Sequence, residues 1–308
     1  MIGQEKEEAG EFLVVDIGDH MDRMAVETEG TLGAANVDVL NLTGYDAITI
    51  GNNEGLTFTP EQLAQSYSGL LCPVVCGNVV EQATDLPPVW MKSSLILEKG
   101  PFRIGLLGAT APFTAFYELL GWDVLEPIEA LREQVEALRS QVDVIVILSH
   151  LGLSTDRRLA EQIPGIDVIL GGHTHHVLEE PLVIGQTVLG AAGKFGQWLG
   201  KVVLEREYGA NELTLVSSGC VPVQNMMLEE RPGMKLGKRI YSQEGLVLLS
   251  DGVELTSRLI GRLKDLGIGY VYIADAATED IIIPDMLQEE TRRRALVEIK
   301  QQFQSMSG

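Results

Sequence analysis

Five side chains able to bind a divalent cation sit directly after short apolar runs: Asp19, Asn52, His150, His173 and His175. Asp19 follows FLVVDIG, Asn52 follows AITIG, His150 ends VDVIVILSH, and the other two histidines follow IDVILGG. Carboxylate, amide and imidazole together make an N/O donor set suited to manganese, iron, zinc or nickel. A carboxylate can bridge two cations. Two cations roughly 3.5–4 Å apart clamp a phosphoryl group during in-line displacement and lower the pKa of a bound water. The glycines of GGHTHH (171–176) let a turn carry imidazoles inward at little steric cost, and His-x-His spacing aims two of them to one side of an extended segment.

For these residues to meet, the apolar runs must be neighbouring strands. Segments 12–19, 47–52, 74–80, 103–110, 142–150 and 166–172 are apolar throughout, as sheet strands covered on both faces are. Between them, 127–140 places Leu131, Val135 and Leu138 on one helical stripe behind Pro127, which suits the first turn. Segment 154–165 reads as a helix with Ser154 as N-cap that stops before Pro164, and 93–107 reads as a hairpin turning at Gly100-Pro101. The expectation is an α/β fold, a layered mixed sheet flanked by helices, with ligands gathered outside the carboxyl ends of the strands.

The motifs IGDHMDR (17–23), IGNNEG (50–55), ILSHLG (147–152) and GGHTHH (171–176) stand in an order and spacing that resembles the calcineurin-like metallophosphoesterases, and within them the 5′-nucleotidase-like branch, over about residues 11–207. The resemblance implies hydrolysis of a nucleotide or a related phosphoester or phosphoanhydride by metal-bound hydroxide, with two divalent ions (Mn, Zn, Fe or Ni) as cofactors. It implies that Asp19 bridges both metals, that Asn52, His150 and His173 complete one of them, and that His175 binds the other. The family's GD-x-x-DR pattern makes Arg23 a candidate for contacting phosphate or orienting Asp19. His20 reads as a hydrogen-bonded structural histidine, and His176 as a third imidazole pointing away from the ligand set.

Two departures from the family pattern stand out. The family begins with a strand bearing D-x-H, which supplies two ligands of the second metal. Here about ten residues precede the GD strand and none is a histidine. A missing first strand-helix unit, through a wrong start codon or a truncated gene, is the expectation, leaving His175 and Asp19 for that metal and opening an apolar sheet edge. The second departure falls after the motif asparagine, where the family uses a histidine oriented by an aspartate three residues on. Asn53 and Leu56 stand there, so general-acid assistance, worth about a hundredfold or more, is expected to be lost. Leaving groups of low pKa should suffer least.

Charge and composition narrow the alternatives. A formal net charge of −21 lacks the basic patch that phosphate backbones and anionic membranes require. With 45% hydrophobic and 22% charged residues the chain is ordinary globular material, and no apolar run approaches the roughly 18 residues that span a bilayer. The first twelve residues carry no apolar signal region, and three cysteines (Cys72, Cys76, Cys220) lack a framework spacing, so reduced packed thiols and a cytoplasmic location are expected. Residues 1–200 hold 28 acidic and 10 basic side chains, whereas 201–308 hold 16 and 13, which separates two units. The expected division is a metallophosphoesterase-like domain over 1–207 and a small α+β module over 208–308.

In that second part, a hairpin at 243–245, a helix over 256–267 capped by Thr256 with an apolar stripe of Leu259, Leu263 and Leu266, a strand over 270–275 and a charged helix over 287–303 are expected. The order PGM-x-L, GLVLL, G-x-x-L-T over about 219–305 resembles the leader preceding HD-GYP phosphodiesterase domains, whose catalytic histidines are absent because no histidine follows His176. Two readings therefore enter the structural comparison. One is a phosphohydrolase with a phosphorylated, nucleotide-like small-molecule substrate. The other is a truncated or fused gene product with an incomplete metal site, acting as a non-catalytic binding or regulatory module.

Overall fold

The computed structural model describes residues 2, 11–22, 25–206, 214–223, 234–237, 239–241, 247–266, 271 and 273–274. It divides into two compact units, 1–223 and 224–308. In the first unit the chain runs β1 (Val15–Asp16), α1 (Val26–Thr31), α2 (Ala34–Thr43), β2 (Ala47–Ile48), α3 (Asn52–Thr57), α4 (Pro60–Ser66), β3 (Val74–Val75), β4 (Val79–Glu81), β5 (Met91–Lys92), β6 (Ser94–Lys99) and β7 (Phe102–Thr110). It continues through α5 (Thr114–Tyr117), β8 (Trp122–Val124), α6 (Pro127–Leu138), β9 (Val144–His150), α7 (Leu153–Gln162), β10 (Val168–Gly171), β11 (Leu182–Ile184), β12 (Thr187–Ala191), β13 (Trp198–Glu205) and β14 (Thr214–Pro222).

Two sheets carry the architecture. One is all parallel in the order β1-β2-β3-β5; the other runs β11-β12-β10-β9-β7-β6, with its four inner strands parallel and its two edge strands antiparallel. Strand periodicity then explains the unbroken apolar runs. Leu106 of β7 and Val144, Val146 and Leu148 of β9 pack with Ala47 of β2 and Val75 of β3, so the two sheets meet face to face. Their alternate neighbours turn the other way: Leu107, Ile145 and Ile147 meet Leu131 and Val135 of α6 and Leu159 of α7. On the far side of the first sheet, Ile48 and Val74 meet Val37 and Leu40 of α2 and Leu63 of α4. The result is helix, sheet, sheet, helix. A strand residue on either face is out of water, and each such Val, Leu or Ile contributes about 1.5–3 kcal/mol of transfer free energy.

Several expectations are corrected. Segment 74–80 is not one strand: β3 and β4 belong to different sheets, and the chain turns between them where Gly77 N–H donates to Gly108 O. Ser154 does not cap α7. The N-cap is Gly152, and the hydroxyl accepting from Leu153 N–H belongs to Thr174, 3.1 Å away on the GGHTHH turn. The hairpin at Gly100-Pro101 forms, with Lys99 opposite Phe102. β1 is an edge strand whose neighbours Leu13 and Ile17, like Val15, are half-buried against the core between the sheets. The three cysteines are free thiols, and burial pushes Cys76 up to about 12, which makes it inert.

In the second unit β15 (Ile240–Tyr241) pairs antiparallel with β16 (Val247–Leu249), followed by α8 (Ser257–Asp265). Thr256 caps α8, its hydroxyl accepting from Leu259 N–H at 3.3 Å. Its buried residues are Ile260 and Leu263, packed on Leu236, Leu255 and Val271, whereas Leu266 of the expected stripe is exposed. The turn at 243–245, Gly267 and the helix over 287–303 lie outside the described residues. Among the described residues no helix is long and apolar enough to cross a membrane.

Candidate active site

The carboxyl ends of β1, β2, β9 and β10 open on one place. Asp19 follows β1, Asn52 opens α3 just beyond β2, His150 is the last residue of β9, and His173 lies two residues past β10. Contacts between the sheets bring these four together. His150 Nδ1 donates to Ile17 O at 2.7 Å, and its Nε2 lies 3.1 Å from Asp19 Oδ2. His173 Nδ1 lies 2.8 Å from Asn52 Oδ1, and the His150 and His173 rings meet edge to face at 5.4 Å.

The backbone is bent to allow this. Asp19, His173 and His175 all adopt left-handed conformations, with φ of 60°, 66° and 58°. For non-glycine residues such conformations cost roughly 1–3 kcal/mol each and persist only where the surroundings impose them. Gly18, at φ +89°, and Gly51 let the loops after β1 and β2 touch: a Cβ on Gly18 would overlap the Gly51 backbone, and one on Gly51 would overlap the Asp19 carboxyl.

A residue without a role in the sequence reading holds this half of the site. Glu54, fully buried, accepts backbone N–H groups from Asp19 (3.0 Å), Met21 (2.8 Å) and Gly51 (2.7 Å), stapling the GD loop to the start of α3. Its one legible signal was a glutamate three residues after the position that caps a helix. Beside it lies His20, whose Nδ1 donates to Asp16 Oδ1 at 3.1 Å and whose Nε2 lies 2.8 Å from Tyr67 Oη and 3.9 Å from Glu54 Oε1. Burial alone would lower its pKa, but the Glu54 and Asp16 carboxylates outweigh that and push it up to about 9. His20 is therefore a structural cation in the brace.

The remaining candidates divide. Asn53 spends its backbone N–H on Asp19 Oδ1 at 2.8 Å. His175 is exposed on the turn beyond His173, and its charge contributes to holding the His173 pKa down, after burial and His150. His176 is exposed, its Nδ1 2.9 Å from Thr174 Oγ1. Arg23 lies outside the described residues.

The donor set fits a divalent cation. Because Ile17 O can only accept, His150 Nδ1 carries a proton, and in the neutral ring Nε2 presents its lone pair to the Asp19 carboxylate. That Nε2 is buried and makes no aligned hydrogen bond. Two acceptors facing each other at this range require a positive charge between them, a proton or a metal ion. As a proton, it is strongly held: burial opposes the charge, yet Asp19 raises the His150 pKa. For Asp19, burial pulls upward, but the His150 interaction and the Asn53 N–H win and hold it below its usual value. Donors about 2.1 Å from a common cation stand about 3 Å apart, as both facing pairs here do. Among the described residues no three His, Cys, Asp or Glu side chains form a closed cage, because the amide of Asn52 supplies one of the four donors.

A two-sheet α/β sandwich with Asp, Asn and His donors at its strand ends has the form of a metal-dependent phosphoesterase. Residues 2–177 match the family model described as calcineurin-like phosphoesterase, and the chain belongs to that family. It is 39% identical over 216 residues to the uncharacterised metallophosphoesterase YunD of Bacillus subtilis, a match covering 70% of this chain and 46% of that protein. It is 34% identical over 168 residues to a probable 5′-nucleotidase of Treponema pallidum, covering 53% of this chain and 28% of that one. A 5′-nucleotidase precursor from Thermus thermophilus shares the fold, with a TM-score of 0.64 and 23% identity over 71% of this chain and 47% of its own. The chain thus spans less than half the length of these relatives.

Proposed function

We propose that the first unit is a metal-dependent phosphohydrolase acting on a nucleotide or a related phosphoester or phosphoanhydride. The observation that carries this reading is the buried, unpartnered His150 Nε2 facing the Asp19 carboxylate at 3.1 Å, beside the matching Asn52–His173 pair. Asp19 Oδ2, His150 Nε2, Asn52 Oδ1 and His173 Nδ1 would hold one ion, and Asp19 with His175 would contribute to a second. Bound there, divalent ions supply charge neutralisation for the phosphoryl oxygens and an activated water.

The chain's own part is positioning and proton control. Glu54 fixes Asp19 through backbone N–H groups, and the Ile17 carbonyl fixes the His150 tautomer. Asn53 carries an amide where a proton donor would stand, so the leaving group departs without general-acid help. We assign Arg23 to substrate phosphate on the motif pattern alone. Kinship with nucleotidases favours the hydrolase over a non-catalytic module.

The test is phosphate release from a series of aryl and alkyl phosphates with added manganese. Activity is expected to require the metal and to fall about a thousandfold in Asp19→Asn, with aryl phosphates outpacing alkyl ones by about a hundredfold or more. Metal-independent turnover, or alkyl and aryl esters cleaved equally fast, would refute it.

A further inference from the structure

Of the strands whose carboxyl ends line the site, β7 contributes no donor. Its last residue, Thr110, pairs in register with His150, and three residues later the chain presents Phe113. That ring lies 5.7 Å from the His173 ring at an interplanar angle of 55°, and the residue is 39% exposed. Its backbone is fixed from both sides: Phe113 N–H donates to Ala111 O at 3.0 Å, and Phe113 O accepts from Phe116 N–H and Tyr117 N–H. Tyr117 is fully buried, and its hydroxyl lies 3.4 Å from that of Thr110. The short helix is thus anchored by one aromatic side while the other faces the metal donors.

We propose that Phe113 is a specificity-determining residue, selecting phosphoesters whose ester-linked group presents an aromatic ring or the C–H face of a sugar. This rests on the phosphohydrolase reading above. With a phosphoryl oxygen near His173, the next group along the ester lies within van der Waals reach of the Phe113 ring. A flat apolar group gains area and ring contact there. A second phosphate gains neither and loses hydration against an apolar wall. Asn53 governs how turnover depends on leaving-group pKa; Phe113 governs binding.

The experiment is calorimetric titration of the full chain, with manganese present, by phenylphosphonate and methylphosphonate, neither of which can be hydrolysed. Wild type is expected to prefer the phenyl compound. In Phe113→Ala that preference should fall by about three- to tenfold, with methylphosphonate affinity unchanged. Phe113→Leu, which keeps apolar bulk but no ring, should retain an intermediate preference and guards against a folding artefact. A preference that does not move in Phe113→Ala, or an equal loss for both phosphonates, overturns the inference while leaving the phosphohydrolase reading intact. If wild type fails to bind methylphosphonate at all, that reading falls and the inference with it.

Discussion

Each sheet supports its half of the site with one buried carboxyl group, and the two are held in opposite ways. Behind Asp19 and Asn52, Glu54 receives three backbone N–H groups and has the His20 imidazole nearby. Behind His150 and His173, Asp156 of α7 accepts a hydrogen bond from Ser149 Oγ and packs against Gly171 at the end of β10. Burial, only partly offset by Ser149 and His150, pushes Asp156 up to about 7. A carboxylate paired with a cation and saturated with donors is a permanent brace. A carboxyl group buried with little compensation is a brace only while it keeps its proton.

The largest effect that could break this contrast comes from Glu54→Gln. Removing the charge leaves the His20 cation short of a partner and turns an amide N–H2 toward a donor. Stability should fall by about 3–5 kcal/mol in urea unfolding, and manganese affinity should fall with it. An unchanged midpoint would mean that the brace is not electrostatic.

Asp156 sharpens the comparison through pH. Its folded pKa stands above the unfolded value of about 3.8, so its contribution is fully present below pH 4 and is lost as pH rises through about 7. Asp156→Asn should remove that slope and leave the protein up to about 4 kcal/mol more stable than wild type near pH 8, as seen by unfolding at a series of pH values. Parallel stability curves for the two proteins would refute the raised pKa.

The smallest effect belongs to Thr174, whose hydroxyl caps α7 from the metal-binding turn. Thr174→Ala should cost about 1 kcal/mol, whereas Ser154→Ala, at the position that looked like the cap, should be near neutral. The reverse order would restore the local cap.

How far the sequence could be read follows from the range of the contacts. The strand ends were legible because apolar runs and the polar residues after them are local features, and burial on both faces left no alternation to mistake. Glu54 was opaque because its value lies in reaching Asp19, 35 positions away. The cap of α7 was misplaced because the better hydroxyl arrives from 21 residues downstream. The break at Gly77 depends on the carbonyl of Gly108, which no window around 74–80 contains.

The left-handed backbones of Asp19, His173 and His175 have a bearing on engineering. Glycine would relax each of them, so a library screened for heat tolerance alone would drift toward replacing these three residues. Positions where thermal selection and phosphatase selection pull the same codon in opposite directions would mark this site in sequencing data, without a substrate in hand.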